Sequence, residues 1–480
     1  MNFLDALKQN NTKENTKGGK YFDSTYNANL DLFSGIGMYQ DSEDVINKFK
    51  KALSENKTLA LANLLYSLDV REGKGTRQNF KTMFKYLCQN KKEMALAILP
   101  HIPELGRWDY ILEGIDTLID EEVINLIKEQ LEKDKKSDNP SLLAKWLPSH
   151  RTHNVKNEMA VTLMRKLGIK EKEYRKTLTT LREKLRLIEN NLRKKDYKNI
   201  DFETVPTKAM LKYREAFNRN CKDKYQEYLN QVISGEKKIN TTGLYCYEII
   251  KKVYNDEQEK HKKLYDTMWE NQKDFLNGYD KNILVMADTS GSMTWGDCIP
   301  LANSIGLAIY IAERNKGIFK NHFITFSGKP KIQEIKGDSI VDKVKSMGIE
   351  VANTNIDKAF KLLLNTAEKN NIEQEEMPSH IIIISDMEFD VGVYSKKGTN
   401  FSGWKNAFEE KGYDLPKIIF WNVAGNINGM PATKFDQDVA IISGFSPVLL
   451  ENLLTPENIS PIKVMGRTLD KYKKLLQDAE

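Results

Sequence analysis

The sequence predicts a multidomain protein in which an all-α, helical-repeat (HEAT-like) N-terminal region precedes an α/β domain of the doubly wound (Rossmann-like) class. The chain has 480 residues, which is more than one ordinary hydrophobic core accommodates. Apolar residues have helical spacing up to about residue 275, whereas short apolar runs alternate with amphipathic segments beyond Gly278. A content of 40% hydrophobic and 29% charged residues is typical of an ordinary globular protein.

The first 20 residues are rich in Asn and Lys and have no apolar core. They predict a mobile leader and no signal peptide. No window approaches 18 uninterrupted apolar residues, so we expect no membrane span and a cytoplasmic location. The four cysteines are widely spaced and form no CxxC pair, which favours reduced thiols over a disulfide framework or a zinc site: Cys88, Cys221, Cys246 and Cys298.

Residues 21–277 are predicted to form the helical region. Amphipathic spacing is clear in Val45–Leu68, Phe80–Leu99, Glu122–Leu131 and Glu158–Leu167. Breaks fall at Gly73, Pro103, Gly106, Pro140, Pro148, Gly168 and Pro206. Helices of 10 to 20 residues joined by short turns predict a stacked, solenoid-like array, although the sequence shows no cleanly aligned repeat.

Residues 278–455 are predicted to form the α/β domain, and residues 456–480 a helical extension with a Lys-rich helix after Arg467. The predicted strands are Ile283–Ala287, Phe323–Phe326, His380–Ser385, Ile418–Val423 and Val439–Ile442. Helices are predicted between them, at about 299–314, 355–369 and 403–411. Near-continuous apolar strands separated by helices indicate a parallel sheet buried on both faces. Such sheets bind ligands beyond the carboxyl ends of their strands.

Positive charge is concentrated in one segment of the helical region. Residues 141–224 contain 22 Lys and Arg against 10 Asp and Glu, a net charge of +12, whereas the net charge of the whole chain is +6. The remaining residues therefore sum to −6. A localised basic segment can attract polyanions, although a Lys-rich helix face can also be merely solvated.

Oxygen-bearing side chains follow two of the predicted strands. The first strand runs into the sequence DTSGS at residues 288–292, which supplies Asp288, Ser290 and Ser292. Thr354 directly precedes a predicted helix, and Asp386 follows the strand His380–Ser385. Carboxylates and hydroxyls suit a hard divalent cation, and magnesium is the expected ion. With only two carboxylates, such a cation would stay electrophilic and could accept an acidic ligand.

These three elements, in this order, resemble the metal-ion-dependent adhesion site (MIDAS) of von Willebrand factor A (vWA) domains. The resemblance implies that Ser290, Ser292 and Thr354 contact the metal, and that Asp288 and Asp386 act directly or through water. The chain departs from the common pattern at Asn353, where many vWA domains have Gly. Because Asn tolerates left-handed backbone better than most residues, we expect the loop geometry to survive. A D-x-S-x-S string alone can also be a solvated turn.

A magnesium-dependent phosphatase with an aspartyl nucleophile is the enzyme alternative. It would use Asp288 together with an acidic cluster at a later strand end, Asp386, Glu388 and Asp390. Such enzymes usually need a second Asp two residues after the first, and position 290 is Ser. The sequence therefore favours a noncatalytic, ligand-binding role for this loop.

Four N-terminal stretches resemble the Ro autoantigen (TROVE) class, and more closely the related uncharacterised family that pairs a helical region with a vWA domain. These stretches are residues 69–77, 103–109, 144–149 and 174–176. In Ro proteins the helical repeats form a ring that binds structured and misfolded noncoding RNA. The resemblance therefore implies RNA binding by the helical region of this chain.

The basic residues that we expect to contact RNA lie in or near the four stretches, or in the basic segment of residues 141–224. Lys and Arg neutralise phosphates, and Arg planes stack on unpaired bases. The candidates are Arg71, Lys74, Arg77, Arg107, Lys145, Arg151, Lys156, Arg175, Lys176, Arg182 and Arg186. In the alternative interpretation, Arg107 pairs locally with Asp109, and Trp108 and Trp146 are core anchors rather than stacking platforms.

Three functional hypotheses follow. The first is a noncatalytic cytosolic RNA-binding protein whose metal site recruits an acidic protein ligand. The second is a metal-dependent protein-interaction scaffold without RNA binding, and the third is the phosphatase. RNA affinity would support the first hypothesis. Partner capture that chelation abolishes would support the second, and turnover of a phosphate ester would support the third.

Overall fold

The computed structural model describes residues 13–14, 20–37, 41–150, 155–256, 259–325, 329–347, 355–389, 400–425, 429–454 and 458–477. The chain forms two compact units. The α/β unit contains residues 1–67, 71–79 and 241–478, and the helical unit contains residues 68–70 and 80–240. Most of the predicted leader lies outside the described residues. No described helix is long and apolar enough to cross a membrane.

Thirteen helices of the described chain precede residue 240. In chain order they are α1 Ala28–Gly35, α2 Ser42–Glu55, α3 Lys57–Leu68, α4 Arg77–Asn90, α5 Lys92–Ile98, α6 Ile102–Leu105, α7 Asp120–Lys136, α8 Leu143–Trp146, α9 Val155–Leu167, α10 Glu171–Lys184, α11 Ile188–Lys194, α12 Thr207–Asn220 and α13 Lys222–Ile233. The helical character predicted for this part of the chain is confirmed. Its organisation into repeats stays a prediction.

The α/β unit holds the remaining described helices and all of the described strands. The helices are α14 Cys246–Tyr254, α15 Lys262–Glu270, α16 Trp295–Arg314, α17 Ile340–Ser346, α18 Ile356–Asn370, α19 Asn400–Glu409, α20 Leu450–Leu453 and α21 Pro461–Gln477. The strands are β1 Lys13–Glu14, β2 Lys20–Tyr21, β3 Ile283–Ala287, β4 His322–Thr325, β5 Ile332–Glu334, β6 His380–Ser385, β7 Lys417–Asn422 and β8 Val439–Ser443. Strands β1 and β2 form a separate antiparallel pair.

The main sheet has six strands in the order β5-β4-β3-β6-β7-β8. Five strands, β4, β3, β6, β7 and β8, run parallel to one another. The edge strand β5 pairs antiparallel with β4. Every residue of β3, β6 and β8 is buried, as expected for strands covered on both faces. The five strands predicted from the sequence are present, each within one residue of its predicted ends.

Helices cover the two faces of this sheet. On one face, residues such as Leu284, Ile383 and Phe420 pack with Phe360 of α18 and Trp404 of α19. The Phe360 and Trp404 rings stack with centroids 3.9 Å apart. On the other side, Gly306 of α16 allows close approach of α14, because a Cβ atom there would lie 2.9 Å from that of Cys246. Because both faces of the sheet are buried, its strands are near-continuous apolar runs, and the alternation of strands and helices can be predicted from the sequence.

The structural division differs from the single boundary predicted at residue 278. Phe22 exchanges backbone hydrogen bonds of 2.9 and 2.7 Å with Met430, which ties the N-terminal segment to the α/β unit. Helix α1 contacts β8, and α14 contacts α16. These helices use their apolar faces to cover the sheet and its helices. Helical periodicity alone does not reveal which surface a helix covers, so the sequence assigned them to the helical region.

Candidate functional sites

The first candidate site lies at the carboxyl ends of the neighbouring parallel strands β3 and β6. Asp288 directly follows β3, Ser385 ends β6, and Asp386 follows it. The Asp288 N–H donates to the Ile384 carbonyl at 2.9 Å, which continues the strand pairing into the loop. The sheet thereby brings together two carboxylates that are 98 positions apart in the sequence, as the strand pattern predicted.

A single hydroxyl connects the two carboxylates. Ser385 Oγ donates to Asp288 Oδ2 at 2.6 Å and lies 3.5 Å from Asp386 Oδ1. The backbone N–H of Ser290 donates to the other oxygen of Asp288, Oδ1, at 2.9 Å, and the backbone N–H of Glu388 donates to the same oxygen of Asp386, Oδ1, at 3.0 Å. Sequence reasoning missed Ser385. A polar residue that ends an otherwise apolar strand was the signal that could have found it.

The charge of Asp386 influences the ionisation of the neighbouring Asp288 carboxyl group. Asp288 is fully buried and Asp386 is 6% exposed. Burial, and secondly the charge of Asp386, raise the pKa of Asp288 to about 6. The described partners of the two carboxylates are hydroxyl and backbone N–H groups.

Hydroxyl groups complete the described part of this site. Ser290 Oγ and Ser292 Oγ are 3.0 Å apart. Ser290 is buried and Ser292 is exposed, so the hydroxyls extend from the carboxylates toward solvent. The donor set contains only oxygen and fits a hard divalent cation. No group of three or more His, Cys, Asp or Glu that could hold a metal ion occurs among the described residues, so a cation here would depend on two carboxylates and these hydroxyls. The predicted ligand Thr354 and the acidic Asp390 lie outside the described residues.

The second candidate site is a cavity of about 830 Å³ within the helical unit. Seven of its lining residues are basic and three are acidic. The basic residues are Lys81, Lys85, Arg107, Lys145, Arg182, Arg193 and Lys212, and the acidic ones are Asp109, Glu113 and Glu189. The lining therefore carries an excess of positive charge that can attract an anionic ligand.

Arg107 and Trp146 form the aromatic part of this cavity. The Arg107 guanidinium carbon lies 3.7 Å from the centroid of the half-buried Trp146 ring. The same guanidinium makes a two-point ion pair with Asp109, with Nε at 2.9 Å from Oδ1. The local pairing that the sequence offered as an alternative for Arg107 is thus present. Trp108 is 8% exposed and belongs to the core, whereas Trp146 lines the cavity.

Arg182 organises the cavity wall. Its guanidinium donates to the Ala144 and Leu147 carbonyls, both at 2.8 Å, and to Ser149 Oγ at 2.7 Å. Tyr174 of the same helix, α10, donates its hydroxyl to the Pro148 carbonyl at 2.7 Å. Helix α10 therefore holds residues 144–149 in place. These bonds occupy three of the five N–H donors of Arg182, so we expect it to position the cavity wall, and its role as an RNA contact stays a prediction.

The other predicted RNA contacts are scattered. Arg107 and Lys145 line the cavity, whereas Arg175, Lys176 and Arg186 are exposed on or near α10 and do not line it. Arg71 and Arg77 are exposed in the α/β unit. Arg151 and the side chain of Lys156 lie outside the described residues. The sequence did not single out four basic residues of the lining: Lys81, Lys85, Arg193 and Lys212.

Lys74 was predicted to contact RNA, and the structure contradicts this prediction. It is 1% exposed and lies in the α/β unit. Its Nζ atom donates to the Phe33 carbonyl, to the Ile36 carbonyl at 3.1 Å and to Ser443 Oγ at 2.7 Å. An amine enclosed in this way cannot reach a phosphate. A count of charges along the sequence does not detect such burial.

Comparisons with known proteins give matches without a described activity. Two family models, both described as domains of unknown function, match this chain: DUF2828 over residues 121–291 and DUF7788 over residues 282–474. The uncharacterized protein L728 of Acanthamoeba polyphaga mimivirus is 28% identical over 501 residues, which cover 95% of this chain and 86% of that protein. The crystal structure of the Deinococcus radiodurans RO (RSR) protein matches with a TM-score of 0.38 and 13% identity, covering 93% of this chain and 99% of that one.

Proposed function

We propose that this chain is a noncatalytic RNA-binding protein that holds structured or misfolded noncoding RNA in the basic cavity of its helical unit. The observation that carries the proposal is the lining itself, in which seven Lys and Arg side chains surround the half-buried Trp146. Two of the stretches that resemble the TROVE class, residues 103–109 and 144–149, contribute to this lining, and a third, residues 174–176, contains the tyrosine that anchors Pro148.

Five of the seven cationic residues at the cavity fall into two groups. Lys81 and Arg107 already pair with Glu113 and Asp109, so they contribute little net charge. Lys85, Arg193 and Lys212 are exposed, and no described carboxylate pairs with Lys85 or Arg193. These exposed cations are the groups available to neutralise phosphates. The Arg107 and Trp146 planes offer a surface for an unpaired base.

Charge reversal at the two exposed cations tests the RNA proposal. In a filter-binding assay with a structured RNA that has a single-stranded end, we expect the Lys85→Glu, Arg193→Glu double variant to bind at least about tenfold more weakly. The slope of log affinity against log salt should fall by about 1.4, which corresponds to two lost contacts with a single strand. Both side chains are exposed, so the fold should be preserved.

Lys128→Glu on α7 is the control, because Lys128 is exposed in the same unit and does not line the cavity. The Lys128→Glu variant should keep most of the RNA affinity. Its slope of log affinity against log salt should be larger than that of the double variant. Equal RNA binding by the wild-type protein and the double variant would exclude this cavity as the binding site. If no salt-dependent RNA binding occurred at all, the metal-dependent interaction scaffold would be the better hypothesis.

We also propose that the α/β unit is a vWA-type domain with a MIDAS-like site that binds a divalent cation, Mg²⁺, to capture a ligand. The convergence of Asp288 and Asp386 on Ser385, beside the Ser290 and Ser292 hydroxyls, supports this proposal. These residues, together with Thr354, would hold the cation. Bound there, the cation would supply an electrophilic position for an acidic ligand. Asp288 and Asp386 would provide the anionic oxygens, and Ser385 would orient Asp288.

Asp288→Asn tests the metal site directly. Isothermal titration of the full chain with MgCl₂ should show one binding event, and the variant should bind at least about tenfold more weakly because one of two anionic ligands is lost. Asp297→Asn is the control, since Asp297 is 79% exposed in the following turn and pairs with Lys251. No binding of millimolar Mg²⁺ by the wild-type protein, or equal binding by Asp288→Asn, would refute the site.

A further inference from the structure

A smaller cavity, which we call the α13 pocket, lies in the helical unit. It has a volume of about 430 Å³ and ten lining residues, none of which lines the basic cavity. One wall is a single face of α13, because Lys224, Tyr228 and Gln231 have the i, i+4, i+7 spacing of one helix face. The other wall is the stretch 198–202. The volume lies within the range of about 300–1,000 Å³ that is typical of small-molecule sites.

Buried residues close the floor of the α13 pocket. Ile200, Phe202 and Tyr228 are 1%, 3% and 4% exposed. The Phe202 and Tyr228 rings stack with centroids 5.8 Å apart. Phe202 also packs against Phe217 and Tyr225, with centroids at 5.1 and 5.2 Å. The floor is therefore part of a packed aromatic cluster, whereas the polar lining residues are exposed or half-buried.

One end of the pocket is cationic. Lys224 Nζ donates to the backbone carbonyl of Lys198 at 2.7 Å, which ties α13 to the stretch 198–202. A carbonyl partner orients the ammonium group without neutralising its charge. The exposed Lys198 side chain belongs to the same lining. Two amines at one end of a pocket suit the charged oxygens of a phosphate group.

The other end of the pocket carries carboxylates. Asp201 belongs to the lining, and its Oδ1 accepts from the backbone N–H of Glu203 at 3.1 Å. Glu203 Oε2 lies 3.9 Å from Nζ of Lys237, which also lines the pocket. The Tyr228 hydroxyl donates to the Lys238 carbonyl at 3.3 Å. Burial, and secondly the charges of Glu203 and Asp201, raise the pKa of Tyr228 to about 12, as expected for carboxylates near its hydroxyl.

We infer that the α13 pocket binds a phosphorylated sugar, with the phosphate at Lys198 and Lys224 and the sugar hydroxyls at Asp201. An ionised carboxylate only accepts hydrogen bonds, so it suits hydroxyl donors. An ammonium group fits this end less well, because Lys237 already lines it. From Lys224 to Gln231 the helix spans about 10 Å, which is long enough to hold both ends of one sugar phosphate. The inference does not depend on the proposed RNA or metal sites, whose residues are different.

Ribose 5-phosphate tests this inference by isothermal titration of the full chain. Ribose and inorganic phosphate, which each carry one half of the ligand, are the comparisons. We expect ribose 5-phosphate to bind at least about tenfold more tightly than either, because only it makes charge-assisted hydrogen bonds at both ends. Lys198→Glu should weaken its binding at least about tenfold, because a phosphate contact is replaced by a negative charge.

Asp201→Asn separates the two ends of the pocket. Asp201 is the N-cap of the 3₁₀ turn Phe202–Thr204, and asparagine caps equally well, so the local fold should be preserved. The variant should bind ribose 5-phosphate more weakly than the wild-type protein does, because the charged acceptor for the hydroxyls is lost. Its affinity for inorganic phosphate should not fall.

Tetrauridylate distinguishes a free sugar phosphate from the ribose phosphate of an RNA strand. It is titrated into the Lys85→Glu, Arg193→Glu variant, whose basic cavity is altered, with and without Lys198→Glu. If tetrauridylate binds more tightly than ribose 5-phosphate and Lys198→Glu weakens that binding, the ligand is a segment of RNA. Any other result, with binding of ribose 5-phosphate intact, identifies the ligand as a free sugar phosphate.

Lys222→Glu is the matched control, because Lys222 is exposed in the first turn of the same helix and does not line the pocket. This variant should keep most of the affinity for ribose 5-phosphate. The inference is wrong if ribose 5-phosphate binds no more tightly than inorganic phosphate. Equal binding of ribose 5-phosphate by the wild-type protein and Lys198→Glu would also overturn it.

Discussion

Replacing Lys74 with methionine should lower the free energy of opening of the α/β unit by about 2–4 kcal/mol at pH 9.5, and by less at pH 7. Methionine has a similar length but cannot donate to the Phe33 and Ile36 carbonyls or to Ser443 Oγ. Acceptors that are left unsatisfied in a buried environment cost about 1–3 kcal/mol each, and Ser443 can satisfy only part of this loss. Lys74 also lies over the Phe33 and Tyr66 rings, at 5.5 and 5.6 Å from their centroids.

The same residue should give the stability a characteristic pH dependence. Burial lowers the pKa of Lys74 to about 7, so between about pH 7 and 10 the unfolded chain binds a proton that the folded chain does not. Stability should therefore rise with pH in this window, by up to about 1.4 kcal/mol per unit. The contribution is complete above the pKa of an unfolded lysine and is lost as the pH falls toward 7.

Native-state hydrogen exchange of residues 28–37 and 439–443 measures both effects between pH 7 and 9.5. The difference between the wild-type protein and Lys74→Met should grow with pH, because only the wild type contains this titrating amine. Lys128→Met, at an exposed position, is the control and should change neither the opening free energy nor its slope. Unchanged protection in Lys74→Met would show that the three hydrogen bonds do not stabilise this part of the fold.

The sheet could be predicted from the sequence because its strands are buried on both faces. Residues 381–384 are four consecutive isoleucines with no exposed surface, and such runs have few other interpretations. The edge strand β5 was not predicted, because Ile332 is 50% exposed and the strand has only three residues. The short helix α17 was missed for a similar reason, since seven residues give too little periodicity for detection.

The two candidate sites differ in how far the sequence determined them. Asp288 and Asp386 meet because they follow strands that are adjacent and parallel in the sheet. The alternation of strands and helices predicted the parallel direction of these strands but not their order. The basic cavity draws on α4, α8, α10, α11 and α12, and no linear pattern specifies which faces of these helices meet. The charge count found the basic segment, but it could not separate exposed Arg193 from engaged Arg182.

Arg182→Ala should lower the free energy of opening of residues 143–149 by about 2–3 kcal/mol. The planar guanidinium satisfies two carbonyls and one hydroxyl at once, and alanine leaves the buried Leu147 carbonyl and its neighbour without this donor. Arg182→Lys should recover less than half of the loss, because an ammonium group cannot reproduce the fork that reaches three acceptors. RNA affinity should also fall, because residues 144–149 of the cavity wall would be less ordered in this variant.

Hydrogen exchange resolved to residues 143–149 separates this positioning role from direct contact with RNA. Arg175→Ala is the matched control on the same helix, because Arg175 is exposed and, within the described part of the chain, pairs with Glu171 at i,i+4, a contact worth about 0.3–0.5 kcal/mol. Arg193→Glu should also weaken RNA binding, but without changing the exchange of residues 143–149. If Arg182→Ala weakened RNA binding while protection of 143–149 stayed at the wild-type level, Arg182 would be a direct phosphate contact, as the sequence had indicated.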